Sequence, residues 1–229
     1  MLLFCYYKIA AALLSSIFLM TSKKEEERVS RVLRELEQIA IREHLPSVGP
    51  IKGKIISAII KKYKPTTILE IGTLHGYSAI LMAADLLSVN DNNNNKIDEK
   101  LVTIEIDKNL TNIAKKNIDK AGLSNKIKVI CDNALDVIPT LDGYKFDLIF
   151  LDAVKNEYLQ YLRLIEAKDL LKEGAIVVAD NVIIYENEMH DYLEYVRNSV
   201  RYNSKSTETT LEFTKNVKDA LEISVRLGK

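Results

Sequence analysis

The chain has no tryptophan, two cysteines, four prolines and eight glycines in 229 residues, and its 32 Lys and Arg are offset by 32 Asp and Glu. Each scarcity excludes something. With so few cysteines, Cys5 and Cys131, and the first of them in an apolar leader, a disulfide framework is excluded and a reducing, cytoplasmic setting is the default. Few glycines and prolines exclude collagen-like and Pro-rich sequence. A formal net charge of zero leaves no overall field to draw in nucleic acid or an acidic membrane. The histidines, His44, His75 and His190, lack metal-ligand spacing, so zinc is not suggested. What is present is 47% hydrophobic and 28% charged residues, the balance of a chain with a large core. The length suits one domain with an extension, since domains run to about 100 to 200 residues.

Residues 1–20, MLLFCYYKIAAALLSSIFLM, carry a single charge, Lys8, before the polar run TSKKEEER. An anchor needs about 20 apolar residues, which this stretch barely supplies. A signal peptide would want a small-residue cleavage pattern that is missing here. A start of translation at Met20 is the third reading. Lys23 and Lys24 would keep the folded part in the cytoplasm if the leader is an anchor. The expected division is therefore a leader over 1–20 and a single domain over 21–229.

From Lys23 the positions Val29, Val32, Leu33, Leu36, Ile39 and Ala40 recur at helical spacing, and a second amphipathic helix is expected from about Val48 to Tyr63. Apolar β-like runs follow at 66–72, 101–107, 126–131, 146–152 and 175–182, alternating with helical patterns. Runs so uniformly apolar read as buried parallel strands covered on both faces. The expected fold is α/β, a doubly wound, mostly parallel seven-stranded sheet. STETTLEF and ALEISVRLGK are too close together for a helical crossover and predict an antiparallel edge pair. VNDNNNNKIDEK reads as a surface loop, and although Asp91 and Asp98 are near each other, a calcium loop would need a Gly and spaced ligands that it lacks.

In open α/β sheets ligands bind beyond the carboxyl ends of the strands. The first run ends Glu70-Ile71-Gly72-Thr73-Leu74-His75-Gly76-Tyr77-Ser78, a tight glycine turn whose spacing is not the G-x-G-x-x-G of dinucleotide sites. The second ends Glu105-Ile106-Asp107, where an acid can accept from both hydroxyls of a ribose, although a helix-start acid would look the same. The fourth ends Leu151-Asp152-Ala153-Val154-Lys155 and the fifth Ala179-Asp180-Asn181. Two carboxylates and an amide oxygen make an all-oxygen set of the kind magnesium prefers. The same residues also suit helix caps and a turn.

Taken in order, VGPIKGKIISAII, ILEIGTLHGYSA, LVTIEID, FLDAVKNEYL and VVADNVI resemble catechol O-methyltransferase and its relatives, magnesium-dependent class I methyltransferases with a Rossmann-like sheet, over essentially all of 24–229. The resemblance implies S-adenosyl-L-methionine and Mg2+ as cofactors. It also implies Asp152, Asp180 and Asn181 as metal ligands, Lys155 as catalytic base, and Glu212 as the acid that holds the non-reacting hydroxyl of a catechol-like substrate, with Lys155 and Asn181 also facing that substrate. Val48, Glu70, Gly72, Ser78, Glu105 and Asp152 match cofactor contacts, and Asn133 is the expected adenine partner. Glu70 beside the glycine turn suits a cofactor with a cationic sulfonium and a zwitterionic tail, and Ser78 near a helix N-terminus suits its carboxylate.

Other positions depart from the animal enzymes. His44, Val154 and Tyr185 stand where that family places two tryptophans and a proline, Ala153 replaces a histidine, and the turn Cys131-Asp132-Asn133-Ala134-Leu135 lacks the usual glycine. Two other functions compete with the small-molecule reading. A transfer-RNA hydroxyuridine O-methyltransferase would use a basic face formed by Lys23, Lys24, Lys52, Lys54, Lys61, Lys62 and Lys64. A membrane-tethered S-adenosylmethionine-binding scaffold would not need the metal set or Lys155, both of which are retained.

Overall fold

The computed structural model describes residues 2–90, 100–214 and 216–228, with side chains from Lys23 onward except that of Asn90. The Asn-rich loop with Asp91 and Asp98 falls largely outside the described residues, as do the side chains of the leader. Among the described residues no helix is long and apolar enough to cross a membrane.

The chain runs α1 (Leu2–Glu43), α2 (Gly49–Tyr63), β1 (Ile68–Ile71), α3 (Tyr77–Asn90), β2 (Leu101–Glu105), α4 (Lys108–Ala121), β3 (Ile127–Cys131), α5 (Ala134–Val137), β4 (Phe146–Leu151), α6 (Tyr158–Ala167), β5 (Leu171–Ala179), α7 (His190–Asn198), β6 (Tyr202–Thr210) and β7 (Lys218–Arg226). The sheet order is β3-β2-β1-β4-β5-β7-β6, parallel from β3 to β5. Every residue of β1 and β2 is buried, which is why these strands carry continuous apolar runs instead of an alternation.

Helices cover both faces. Val29, Val32 and Leu36 of α1, Ile56, Ile59 and Ile60 of α2, Ile80 and Met82 of α3 and Ile118 of α4 pack on one side. Tyr158, Leu162 and Ile165 of α6 and Tyr192, Leu193 and Val196 of α7 pack on the other. Each fully buried Leu, Ile or Val contributes about 1.5–3 kcal/mol relative to exposure, so these stripes fix where every helix sits.

The antiparallel C-terminal pair forms as expected, but its placement adds a detail. β7 lies between β5 and β6, so of this pair β6 alone is an edge, and β7 delivers its side chains next to the end of β5. α4 is closed by local signals at both ends. Asp107 caps the N-terminus by accepting from the backbone N–H groups of Asn109 and Leu110, and Gly122 takes φ 78° at the C-terminus. The helix-start acid is thus Asp107, which leaves Glu105 for the cleft beyond β2.

Candidate active site

Because β1, β2, β4 and β5 are parallel, their carboxyl ends reach the same side of the sheet, where a cleft of about 730 Å³ opens. Its walls are the β1–α3 turn, the ends of β2, β4 and β5, the residues around the start of α2, and 211–214 after β6.

The β1–α3 turn explains its glycine. Gly72 has φ 96°, and a Cβ there would run into the backbone carbonyl of Asp152 at the end of β4. Glu105 braces the same turn from the neighbouring strand. Its Oε2 accepts from the N–H of Thr73 at 3.2 Å and of Leu74 at 2.9 Å, and its Oε1 from the N–H of Asp107 at 3.0 Å. Glu70 is fully buried, and neither of its carboxylate oxygens reaches hydrogen-bond geometry with a protein group. Burial pushes its pKa up to about 8, although the nearby Ser78 and Thr103 hydroxyls offset part of that effect. An acid buried without a partner beside the turn is the orphaned group that a cationic ligand would satisfy.

At the ends of β4 and β5 two acids meet two lysines. Lys155 donates to Asp152 Oδ1 at 2.9 Å and to the Tyr158 hydroxyl at 2.8 Å. Lys52, from the first turn of α2, donates to Asp180 Oδ1 at 2.5 Å and to Asp219 Oδ2 at 2.6 Å. Burial alone would lower the Lys52 pKa, but Asp180 and Asp219 together hold it above its ordinary value. Burial likewise opposes the Asp219 charge, yet Lys52 and Asn181 keep that carboxyl below the usual range. Asp180 goes the other way, raised first by burial and then by the charge of Asp152, which together outweigh the shared Lys52 ammonium. Carboxylates this close repel each other, and a hard cation between them would remove that repulsion. Among the described residues no cluster of three His, Cys, Asp or Glu forms, while Asp152, Asp180 and Asn181 line the same cleft and offer two carboxylates and an amide oxygen. Oxygen donors of this kind suit a hard divalent cation.

Glu212 faces the same cleft. One of its oxygens accepts from the backbone N–H of Lys52 at 2.8 Å and from that of Ile51, which seats the carboxylate on the open N-terminus of α2. Gly49 suits the space beneath it, with φ 61° and a Cβ position only 2.7 Å from the Glu212 side chain.

A family profile described as O-methyltransferase matches residues 21–226. The chain belongs to the O-methyltransferase family. It is 36% identical over 191 residues to "Catechol O-methyltransferase B" of Danio rerio, covering 82% of this chain and 68% of that protein. It is also 36% identical over 185 residues to "Catechol O-methyltransferase" of Bos taurus, covering 79% of this chain and 64% of that one. Among solved structures, an O-methyltransferase from Bacillus cereus in complex with SAH superposes with a TM-score of 0.72 at 26% identity, covering 86% of this chain and 90% of that chain. These matches bear out the resemblance to the catechol O-methyltransferases and the expected sheet.

In this O-methyltransferase, Val48, Gly72, Ser78, Glu105, Asn133, Asp152, Lys155, Asp180, Asn181 and Glu212 all line the one cleft. Glu70 is set behind the lining. Asn133 also caps α5, its Oδ1 accepting from Leu135 N–H at 2.9 Å, so its amide nitrogen is the group left for a ligand. Asp152 and Asp180 cap no helix, because Glu157 and Met189 hold the N-cap positions of α6 and α7. One expectation is corrected. Lys52, counted on a basic face, is 1% exposed, whereas Lys54, Lys61, Lys62 and Lys64 are exposed. The signal was there in the spacing, because Lys52 falls on the stripe that continues as Ile56, Ile59 and Ile60. Asp219 and Tyr158 carry no signal in the sequence that would place them at the site. Asp219 sits in an exposed-looking strand start, and nothing local marks it as buried.

Proposed function

We propose that this chain transfers a methyl group from S-adenosyl-L-methionine to a hydroxyl of a catechol-like small molecule, with magnesium held by Asp152, Asp180 and Asn181. The observation that carries this reading is the gathering of that oxygen set, Lys155, Glu212 and the glycine turn around one cleft. When bound, the cofactor would supply an electrophilic methyl group, and the cation would acidify and fix the acceptor hydroxyl.

The chain's own residues divide the remaining work. Gly72 allows close backbone approach, and Glu105, held by the turn it braces, presents acceptors to ribose hydroxyls. Buried Glu70 offers the charge complement to a cationic ligand at the turn. Lys155 takes the acceptor's proton at Nζ, with Asp152 and Tyr158 fixing where that nitrogen sits. Glu212 accepts from the neighbouring hydroxyl. Val154, Tyr185 and Phe213 line the mouth with apolar surface, half-exposed before ligand arrives and able to shed water around an aromatic ring.

The test incubates the purified chain with S-adenosylmethionine and magnesium, with and without a chelator, against a catechol panel and unmodified transfer RNA. Chelator-sensitive methylation of catechols alone is the expected result. Methylation of RNA alone, or turnover indifferent to chelator, rejects the reading.

A further inference from the structure

An asparagine ligand is ambiguous by construction, because one end of its amide binds a hard cation and the other repels it. Which end faces the cleft is set by whatever meets the amino group. Here Asn181 Nδ2 donates to Asp219 Oδ2 at 2.9 Å. A carboxylate only accepts, so the flipped amide would oppose two acceptors, and the oxygen must point the other way. The Asp219 Oδ1 atom also accepts from the N–H of Ile183 at 3.3 Å and of Ile184 at 3.5 Å. It thereby pins the turn in which Asn181 takes φ 67°. Lys52 joins this support to the second ligand by bridging Asp219 Oδ2 and Asp180 Oδ1. Asp180 Oδ1 receives the N–H of Asn181 as well, at 2.6 Å, so Oδ2 is the oxygen left for the cleft.

Lys52, Asp180 and Asp219 are 1%, 2% and 0% exposed, and so deep a charged cluster is a poor device for stability alone. We infer that Lys52 and Asp219 are positioning residues for the cation site, orienting the Asn181 amide oxygen and Asp180 Oδ2 without touching the ion. This rests on the ligand assignment proposed above. The placement of β7 against β5 brings Asp219 beside Asn181, and the buried stripe of α2 carries Lys52 in to meet it.

Asp219→Asn is the informative change. The carboxylate serves Lys52 and Asn181 on one oxygen and two backbone N–H groups on the other, and an amide cannot accept on both sides. The measurement is Mn2+ affinity by electron paramagnetic resonance on the full chain, beside S-adenosylhomocysteine affinity by calorimetry and the melting temperature. Mn2+ binding is expected to weaken by about 10- to 100-fold while S-adenosylhomocysteine affinity holds. The double change Lys52→Met with Asp219→Leu removes a balanced pair of charges, so it keeps the test available if the single variant folds poorly, and it should show the same selective loss. Wild-type Mn2+ affinity in folded variants overturns the inference alone. Absence of Mn2+ binding by the unaltered chain overturns the ligand assignment and the inference with it.

Discussion

Lys155 donates to the hydroxyl of Tyr158, 2.8 Å away, and Tyr158, the first residue of α6, is wholly buried with its ring edge-on to Tyr192 of α7. A long, flexible lysine is thereby tied to a rigid point of the core, with Asp152 as its second tether at 2.9 Å. Burial, and then the charge of Asp152, raise the Tyr158 pKa well above the ordinary phenol value, so the hydroxyl stays protonated.

If Lys155 is the base, Lys155→Ala should lower kcat by about 10²- to 10⁴-fold. Tyr158→Phe keeps the ring and frees the amine, so its loss should be smaller, up to about 10²-fold. Steady-state kinetics on catechol check both, and full activity in Lys155→Ala would remove Lys155 from the mechanism.

Asp180→Ala should abolish magnesium-stimulated turnover while leaving S-adenosylmethionine affinity largely intact, because Asp180 ends β5 whereas the glycine turn ends β1. Calorimetric titration of the cofactor beside a chelator-controlled assay separates the two. Normal magnesium-dependent turnover would reject the ligand.

At Gly72 the expected defect is in folding as well as binding. An alanine would meet the Asp152 carbonyl and strain a φ of 96°, costing on the order of 3 kcal/mol. Chemical denaturation measures this, and a Gly72→Ala chain as stable as the parent would contradict the packing of β1 against β4.

Glu70 sets a pH dependence. Its pKa is 4.5 ordinarily and about 8 in the folded chain. Between those values the folded state holds one proton more than the unfolded state, so this group lowers stability as pH rises, by ~1.4 kcal/mol per pH unit. Glu70→Gln should flatten that slope of the ligand-free protein and raise its melting temperature most at pH 8. Parallel melting curves for parent and variant from pH 5 to 8 would show that Glu70 is ionised throughout.

Sequence alone identified the parallel strands and the residues at their carboxyl ends, because burial on both faces writes itself as continuous apolar runs and the sheet direction then places Gly72, Glu105, Asp152 and Asp180 on one side. For Lys52 the two signals in the sequence conflict, since its charge points to the surface whereas its helical phase places it on the buried stripe of α2. Glu105 is similarly double, since the same carboxylate that faces the cleft also holds the turn of β1, which no spacing reveals.

What the sequence by itself determined was the α/β alternation, the family and the chemistry available at each strand end, all of which are local properties of pattern and residue type. Only the tertiary structure decided that β7 runs between β5 and β6, and that Lys52 and Asp219, far apart along the chain, close on Asp180 and Asn181. The reason is that a buried charge persists only where its partners converge, and that convergence depends on how the helices and strands pack rather than on any one segment.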